Sequence, residues 1–235
     1  MNAPIHSGIY AILDLDRLSP ALPDDPQQEQ AQLMRYIRDA INNGAKAVQL
    51  RAKSTPGHSL WLPGLVRDAL QAADGRVPII MNDHVEPIEA LGDIEHVGIH
   101  VGQDDATPSY GRNHIGPRAI IGLSTHNLAQ VQASAGQPVD YIGFGPVNDT
   151  GSKNNPDATA GFEALAEAVA ASVHPVVAIG GLGLDDVPRV VASGARSMAV
   201  ITAWLGNPGA PNGPNFARMA MRELTDAWTA AKRAS

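Results

Sequence analysis

The sequence predicts one (β/α)8 TIM barrel, class α/β, running as a single domain over residues 1–235. Three observations predict it. Eight short apolar runs alternate with helical segments, which is the pattern of parallel strands joined by crossover helices. The runs lack strict polar alternation, as suits strands covered on both faces. An open dinucleotide-binding sheet would place a Gly-x-Gly-x-x-Gly turn after its first strand, whereas Asp14-Leu15-Asp16-Arg17-Leu18 follows here.

The predicted strands are Ile9–Leu13, Ala47–Leu50, Pro78–Met81, Val97–His100, Ala119–Leu123, Asp140–Phe144, Pro175–Ile179 and Ser197–Val200. After the first strand, Asp25 followed by Pro26 reads as an N-cap with proline at the first helical position, and Gly44 closes that helix. Leu33, Ile37 and Ile41 fall on one face of it. Leu62, Leu65, Val66, Ala69 and Ala73 make a second stripe, into which Pro63 fits only as part of the first turn. Phe162, Leu165, Ala166 and Val169 make a third after Gly161. The last helix follows the Gly/Pro/Asn-rich stretch Gly206–Asn215 and carries Phe216, Leu224 and Trp228, residues able to cover the barrel or a partner subunit. A homo-oligomer is therefore left open.

Composition excludes several classes. A net charge of −7 argues against nucleic-acid binding, which needs clustered Lys and Arg. The absence of cysteine removes disulfide scaffolds, thiolate metal sites and a cysteine nucleophile, and suits a reducing cytoplasm. The first residues lack the basic-then-apolar pattern of a secretory signal, and no apolar run reaches the roughly 20 residues that span a bilayer. A cytoplasmic protein without membrane contact is expected.

Barrels of this kind build their sites at the C-terminal strand ends. Those positions hold Gln49, Arg51 and Lys53; Asn82 and Asp83; Gln103, Asp104 and Asp105; Ser124, Thr125 and His126; then Thr150-Gly151-Ser152-Lys153, Gly180-Gly181 and Ile201-Thr202. Asp83 and Asp105 are hard oxygen donors from adjacent strands, a set that suits Mg2+. Arg51, Lys53 and Lys153 are cations able to neutralise a polyphosphate, and two of the chain's four lysines are among them. Gly180-Gly181 and the loop after the eighth strand occupy the usual phosphate position of such barrels. Each residue also has a plainer reading: Asp83 and Asp105 serve equally as helix N-caps, Asp104 is assigned that role, and a Gly-Gly pair is commonly a turn. His84, His96, His100, His114 and His126 match no zinc-ligand spacing. Ser124-Thr125-His126 is no nucleophile set, because neighbouring strand residues face opposite ways and no nucleophile elbow is present.

Taken together, Val48-Gln49-Leu50-Arg51-Ala52-Lys53, Met81-Asn82-Asp83, Gly98-Ile99-His100-Val101-Gly102-Gln103-Asp104-Asp105, Ile121-Gly122-Leu123-Ser124-Thr125-His126, Asp140 to Val147, Thr150-Gly151-Ser152-Lys153 and Val177 to Gly181 resemble thiamine phosphate synthase from about Ile9 to Ala203. The resemblance implies a transferase that condenses hydroxymethylpyrimidine diphosphate with thiazole phosphate, releasing pyrophosphate and using Mg2+. It implies Asp83 and Asp105 as metal ligands, and Gln49, Arg51, Lys53, Asn82, Ser124 and Lys153 around the pyrimidine diphosphate. Thr150, Gly151, Ser152, Gly181, Ile201 and Thr202 would hold the thiazole phosphate, and Ser124, Lys153 and Arg51 would act at the reacting centre.

The chain departs from the pattern that the resemblance implies at three places. Ala52 replaces a glutamate, Asn148-Asp149 replaces an aromatic-proline pair, and Ser152 replaces a threonine. Rival readings are a thiazole tautomerase-like barrel, which has no use for a diphosphate-binding metal site, and a non-catalytic sensor of thiazole phosphate. A phosphosugar isomerase would need an acid/base pair that the strand ends do not show.

Overall fold

The computed structural model describes residues 5–53, 58–92, 94–149, 158–207 and 210–235. Among these residues eight parallel strands close into a barrel in chain order: β1 (Gly8–Asp14), β2 (Ala47–Arg51), β3 (Ile79–Asn82), β4 (Val97–Val101), β5 (Ile120–Thr125), β6 (Tyr141–Phe144), β7 (Val176–Ala178) and β8 (Ser197–Val200). The TIM barrel expected from the alternation is the observed fold. Polar residues extend several strands beyond their apolar runs, because a parallel ladder needs only backbone partners: Asp14 pairs in register with Arg51, and Thr125 with Phe144.

The α-helical segments among the described residues are α1 (Leu15–Leu18), α2 (Pro26–Asn42), α3 (His58–Ala73), α4 (Glu86–Glu89), α5 (Pro108–Ile115), α6 (Leu128–Ser134), α7 (Gly161–Ala171), α8 (Val187–Ala192), α9 (Thr202–Leu205) and α10 (Pro214–Ala234). Their starts follow from capping chemistry. Asp25 accepts from the Gln28 amide at 2.9 Å, Thr107 from Tyr110 at 3.1 Å and Asn127 from Gln130 at 3.0 Å, each satisfying an otherwise orphaned N–H. Gly44 ends α2 at φ +97°, a backbone that favours glycine.

Four local expectations change. Pro63 lies in the second turn of α3, where the buried stripe Leu62, Leu65, Val66, Ala69 and Ala73 holds the helix despite one missing amide. The apolar stripe of α7 is Phe162, Leu165 and Ala168, with Ala166 exposed. Thr107, and not Asp104, caps α5. Within Gly206–Asn215, β9 (Gly206–Asn207) and β10 (Ala210–Pro211) pair antiparallel, and α10 already begins at Pro214.

Two cores result. Outward-facing strand residues pack under the helices, where Leu224 and Trp228 of α10 are buried while Phe216 stays 42% exposed. The barrel interior is filled by Ile5, Tyr10, Ile12, Ala47, Ile80, Ile120, Tyr141, Val177 and Ala199. Ile5, fully buried ahead of β1, closes the N-terminal end, so the interior opens only where the strands end. Among the described residues no helix is long and apolar enough to cross a membrane.

Candidate active site

Strand pleating sends every second residue inward, so the interior residue types change from apolar to polar toward the C-terminal ends. On β1 the inward series is Tyr10, Ile12, Asp14, and on β2 it is Ala47, Gln49, Arg51. Asp14 and Arg51 form an ion pair of 2.8 Å with side-chain exposures of only 6% and 14%. The neighbouring loop is held from the same side: Asp16 accepts the Lys53 backbone N–H at 2.8 Å, and His84 Nε2 donates to the Ala52 carbonyl at 3.0 Å. These bonds order the segment around Ala52.

Lys53 Nζ reaches Asp83 Oδ2 at 2.9 Å. Asp83 follows β3 with φ +63°, a left-handed conformation that aspartate tolerates better than most residues. Its carboxyl is pushed up by burial, drawn down by Lys53, and pushed up again by facing Asp105 at hydrogen-bonding range. Asp105 is held below the ordinary carboxylate value: burial opposes ionisation, but the Asp83 hydrogen bond, the Gly102 N–H at 2.9 Å and the Lys53 cation outweigh it. Neither aspartate caps a helix; the cap positions of α4 and α5 are Val85 and Thr107. Asn82 is buried, and its Nδ2 has no hydrogen-bond partner among the described residues, an orphaned donor at the same mouth.

Deeper in the barrel lies a chain of polar contacts that the sequence did not disclose. Gln49 Nε2 donates to the Tyr10 hydroxyl at 2.9 Å, the Tyr10 and Tyr141 hydroxyls meet at 2.9 Å, and the two ring nitrogens of His100 meet Tyr141 Oη and Ser124 Oγ at 2.9 Å each. The histidine spacing that excludes a zinc site is silent on the place of His100 in β4. The available signal was parity: His100 and Ser124 sit on adjacent strands, two residues apart in register, and both face inward. Thr125 and His126 turn elsewhere, donating to the carbonyls of Gly143 at 2.9 Å and Gly145 at 2.6 Å.

The opposite side of the mouth is built from backbone. Gly180 and Gly181 have φ +99° and +63°, and a Cβ on Gly181 would lie 2.2 Å from the Asp149 carbonyl oxygen. Asn148 Nδ2 donates to Asp186 Oδ2 at 3.1 Å, and Asp149 accepts a short hydrogen bond from the Thr159 hydroxyl, which ties its charge to a neighbouring hydroxyl. Across the barrel seam, Arg17 Nη1 donates to Thr202 Oγ1 at 3.0 Å and to the Gly206 carbonyl at 2.8 Å. Burial lowers the Arg17 pKa and Asp14 counters it. The end of β1 and the α1 turn that follows it thus brace both the Arg51–Lys53 segment and the Thr202 segment, through Asp14, Asp16 and Arg17.

Arg51, Lys53, Asn82, Asp83, Asp105 and Ser124 gather at one strand-end mouth, with Gln49 beneath them and Gly181, Ile201 and Thr202 following β7 and β8. Thr150, Gly151, Ser152 and Lys153 lie outside the described residues. No group of three or more His, Cys, Asp or Glu side chains arranged for a metal occurs among the described residues. The facing Asp83–Asp105 pair nevertheless has the donor chemistry for Mg2+, which commonly takes one or two carboxylates and completes its shell with water and phosphate oxygens.

Comparison with known proteins points the same way. A family model described as thiamine monophosphate synthase matches residues 23–204. A thiamine-phosphate synthase of Azorhizobium caulinodans is 37% identical over 176 residues, 75% of this chain and 81% of that protein. One of Anaeromyxobacter dehalogenans is 36% identical over 198 residues, 84% and 85% respectively. The solved structure of a thiamine phosphate pyrophosphorylase from Pyrococcus furiosus superposes with a TM-score of 0.77 at 26% identity, covering 98% of this chain and 99% of that one.

Proposed function

The chain belongs to the thiamine monophosphate synthase family, and from that membership we propose that it condenses hydroxymethylpyrimidine diphosphate with thiazole phosphate to thiamine phosphate and pyrophosphate. The observation that carries the reading is the composition of one mouth: the Asp83–Asp105 pair, the cations Lys53 and Arg51, and the orphaned Asn82 Nδ2. A diphosphate answers all three needs. Its oxygens accept from Asn82 and the cations, and they complete the shell of an ion held by the carboxylates.

In the reaction the bond between the pyrimidine methylene carbon and the diphosphate oxygen breaks, and its electron pair leaves with pyrophosphate. The thiazole nitrogen lone pair then forms the new carbon–nitrogen bond. Such a path needs no protein nucleophile. Mg2+ bound at Asp83 and Asp105 would neutralise the charge growing on the leaving group. Arg51, Lys53 and Asn82 hold the same group from the protein side, with Lys153 joining them. Preorganised donors of this kind are worth about 100-fold to 1000-fold each in comparable sites. Gln49 contacts the pyrimidine, and Ser124 lies beside the reacting carbon. Thr150, Gly151, Ser152, Gly181, Ile201 and Thr202 hold the thiazole phosphate, so the two substrates approach in line. A barrel that only isomerises a thiazole phosphate has no use for the paired carboxylates, which favours the synthase. A cytoplasmic location, suited to a cysteine-free chain, belongs to the same reading.

The test is product identification by mass spectrometry. Thiamine phosphate is expected when both substrates are supplied, and none with either alone. Binding of thiazole phosphate without any product would contradict the reading and favour a sensor.

A further inference from the structure

The contacts running from Gln49 to Ser124 cross the barrel interior from β2 through β1, β6 and β4 to β5. Space for them is reserved by glycines. A Cβ on Gly122 would lie 2.2 Å from Tyr141 Cζ and 2.4 Å from both Tyr141 Oη and His100 Nδ1, and one on Gly143 would lie 3.2 Å from His100 Cε1. Tyr141 packs against Tyr10 and His100 with ring centroids 6.1 and 5.4 Å away. Burial raises both phenols, so each keeps its single proton.

A chain of two phenols and one neutral imidazole, with every proton paired, can run in only two senses, because each phenol and the ring have one proton to give. Gln49 Nε2 donates to Tyr10, so a chain that leaves no hydroxyl proton unpaired sends the Tyr10 proton to Tyr141 Oη. The Tyr141 proton then goes to His100 Nδ1. The remaining ring proton sits on Nε2 and goes to Ser124 Oγ. Ser124, already accepting from His100, retains its own hydroxyl proton for donation. Gln49, with its amide nitrogen engaged by Tyr10, keeps Oε1 without a hydrogen-bond partner among the described residues.

We propose that Tyr10, Tyr141 and His100 are positioning residues, a one-way hydrogen-bond chain that makes Gln49 present an acceptor and Ser124 a donor to the pyrimidine substrate. This inference rests on the reading of the site as one for an aminopyrimidine diphosphate and adds its polarity. An aminopyrimidine has an amine that donates and ring nitrogens that accept, which is the complement of that pair. An analogue with an oxo group in place of the amine reverses the pattern at that edge. To accommodate it, the Gln49 amide must turn over, and every bond in the chain must reverse with it. Selection for the amine is therefore stored in buried residues that touch no substrate.

The experiment has two arms, both on the full chain. Nitrogen-15 NMR of the free protein reads the histidine tautomers, with His100 identified by the signals lost in His100→Gln. The expected result is a neutral His100 ring protonated on Nε2, with the tautomers mixing in Tyr141→Phe, where Nδ1 loses its donor. Steady-state kinetics then compare the wild type with Tyr10→Phe and Tyr141→Phe. Each variant is expected to raise KM for the aminopyrimidine diphosphate about tenfold and leave KM for the thiazole phosphate within about twofold, and to narrow the preference over the oxo analogue about tenfold or more. A wild-type ring protonated on Nδ1, or an unchanged preference in both variants, overturns the proposal. If the wild type forms no product at all, the functional reading falls, while the tautomer still decides the sense of the chain.

Discussion

Asp14 and Arg51 stand opposite each other in the β1–β2 ladder and close a 2.8 Å ion pair that is mostly shielded from water. Removing one partner of such a pair leaves the other as an uncompensated charge, which costs far more than a surface ion pair is worth. Asp14→Ala is therefore expected to destabilise the protein by about 3 kcal/mol, measured by urea unfolding. KM for the pyrimidine diphosphate should rise as well, because Arg51 loses the contact that holds it at the mouth. A variant with wild-type stability would show that the pair contributes nothing to the fold.

Arg17, in α1 directly after β1, links this end of the strand to the far side of the site. Replacing it by methionine keeps the stem but leaves the Gly206 carbonyl and the Thr202 hydroxyl without their donor. A loss of about 1–3 kcal/mol in stability follows from the unpaired buried carbonyl. In kinetics, KM for thiazole phosphate should rise while KM for the pyrimidine diphosphate holds. Equal effects on both would mean that Arg17 braces the whole mouth and not the β8 side in particular.

Gly181 is the glycine for which substitution is least tolerable at the phosphate side. Its φ of +63° and the 2.2 Å approach of the Asp149 carbonyl leave no room for a methyl group. Gly181→Ala is expected to weaken thiazole-phosphate binding about tenfold or more, since even about 1.4 kcal/mol of strain has that effect. Titration calorimetry with thiazole phosphate checks it, and unchanged affinity would place the phosphate elsewhere.

The barrel was legible because its signal is redundant: eight buried strands and the caps of α2 each repeat one physical message. Residue type at the strand ends also carried through, since Asp83, Asp105 and Lys53 stand together. Cross-barrel relations were not legible. Asp14, Asp16 and Arg17 read only as a missing glycine turn, because their partners lie 37 residues away for Asp14 and Asp16 and 185 for Arg17. His100 read as unassigned, because its role depends on strand parity and on the space left by Gly122 and Gly143. Asp104 read as a cap because the choice between it and Thr107 turns on where α5 begins, a boundary that local composition sets weakly.

The carboxylate pair gives a pH dependence whose sign follows from competition. Protons and Mg2+ compete for the same oxygens, so affinity for the ion falls as pH falls. Asp83 holds its proton to higher pH than the ordinary value of 3.8, so weakening should begin above that pH. Asp105, held below it, stays ionised longer. Mg2+ titrations of activity at a series of pH values are expected to show the requirement for the ion growing toward acid, and growth toward alkali would contradict the pairing.

Pyrophosphate release tests the whole account most directly, measured with both substrates in the wild type and in Asp105→Ala, with and without Mg2+. The wild type should release pyrophosphate only with the ion present, and the variant should be slowed about 100-fold or more at the same ion concentration. Release at the wild-type rate in Asp105→Ala would contradict the assignment of the carboxylate pair as the centre that receives the leaving diphosphate.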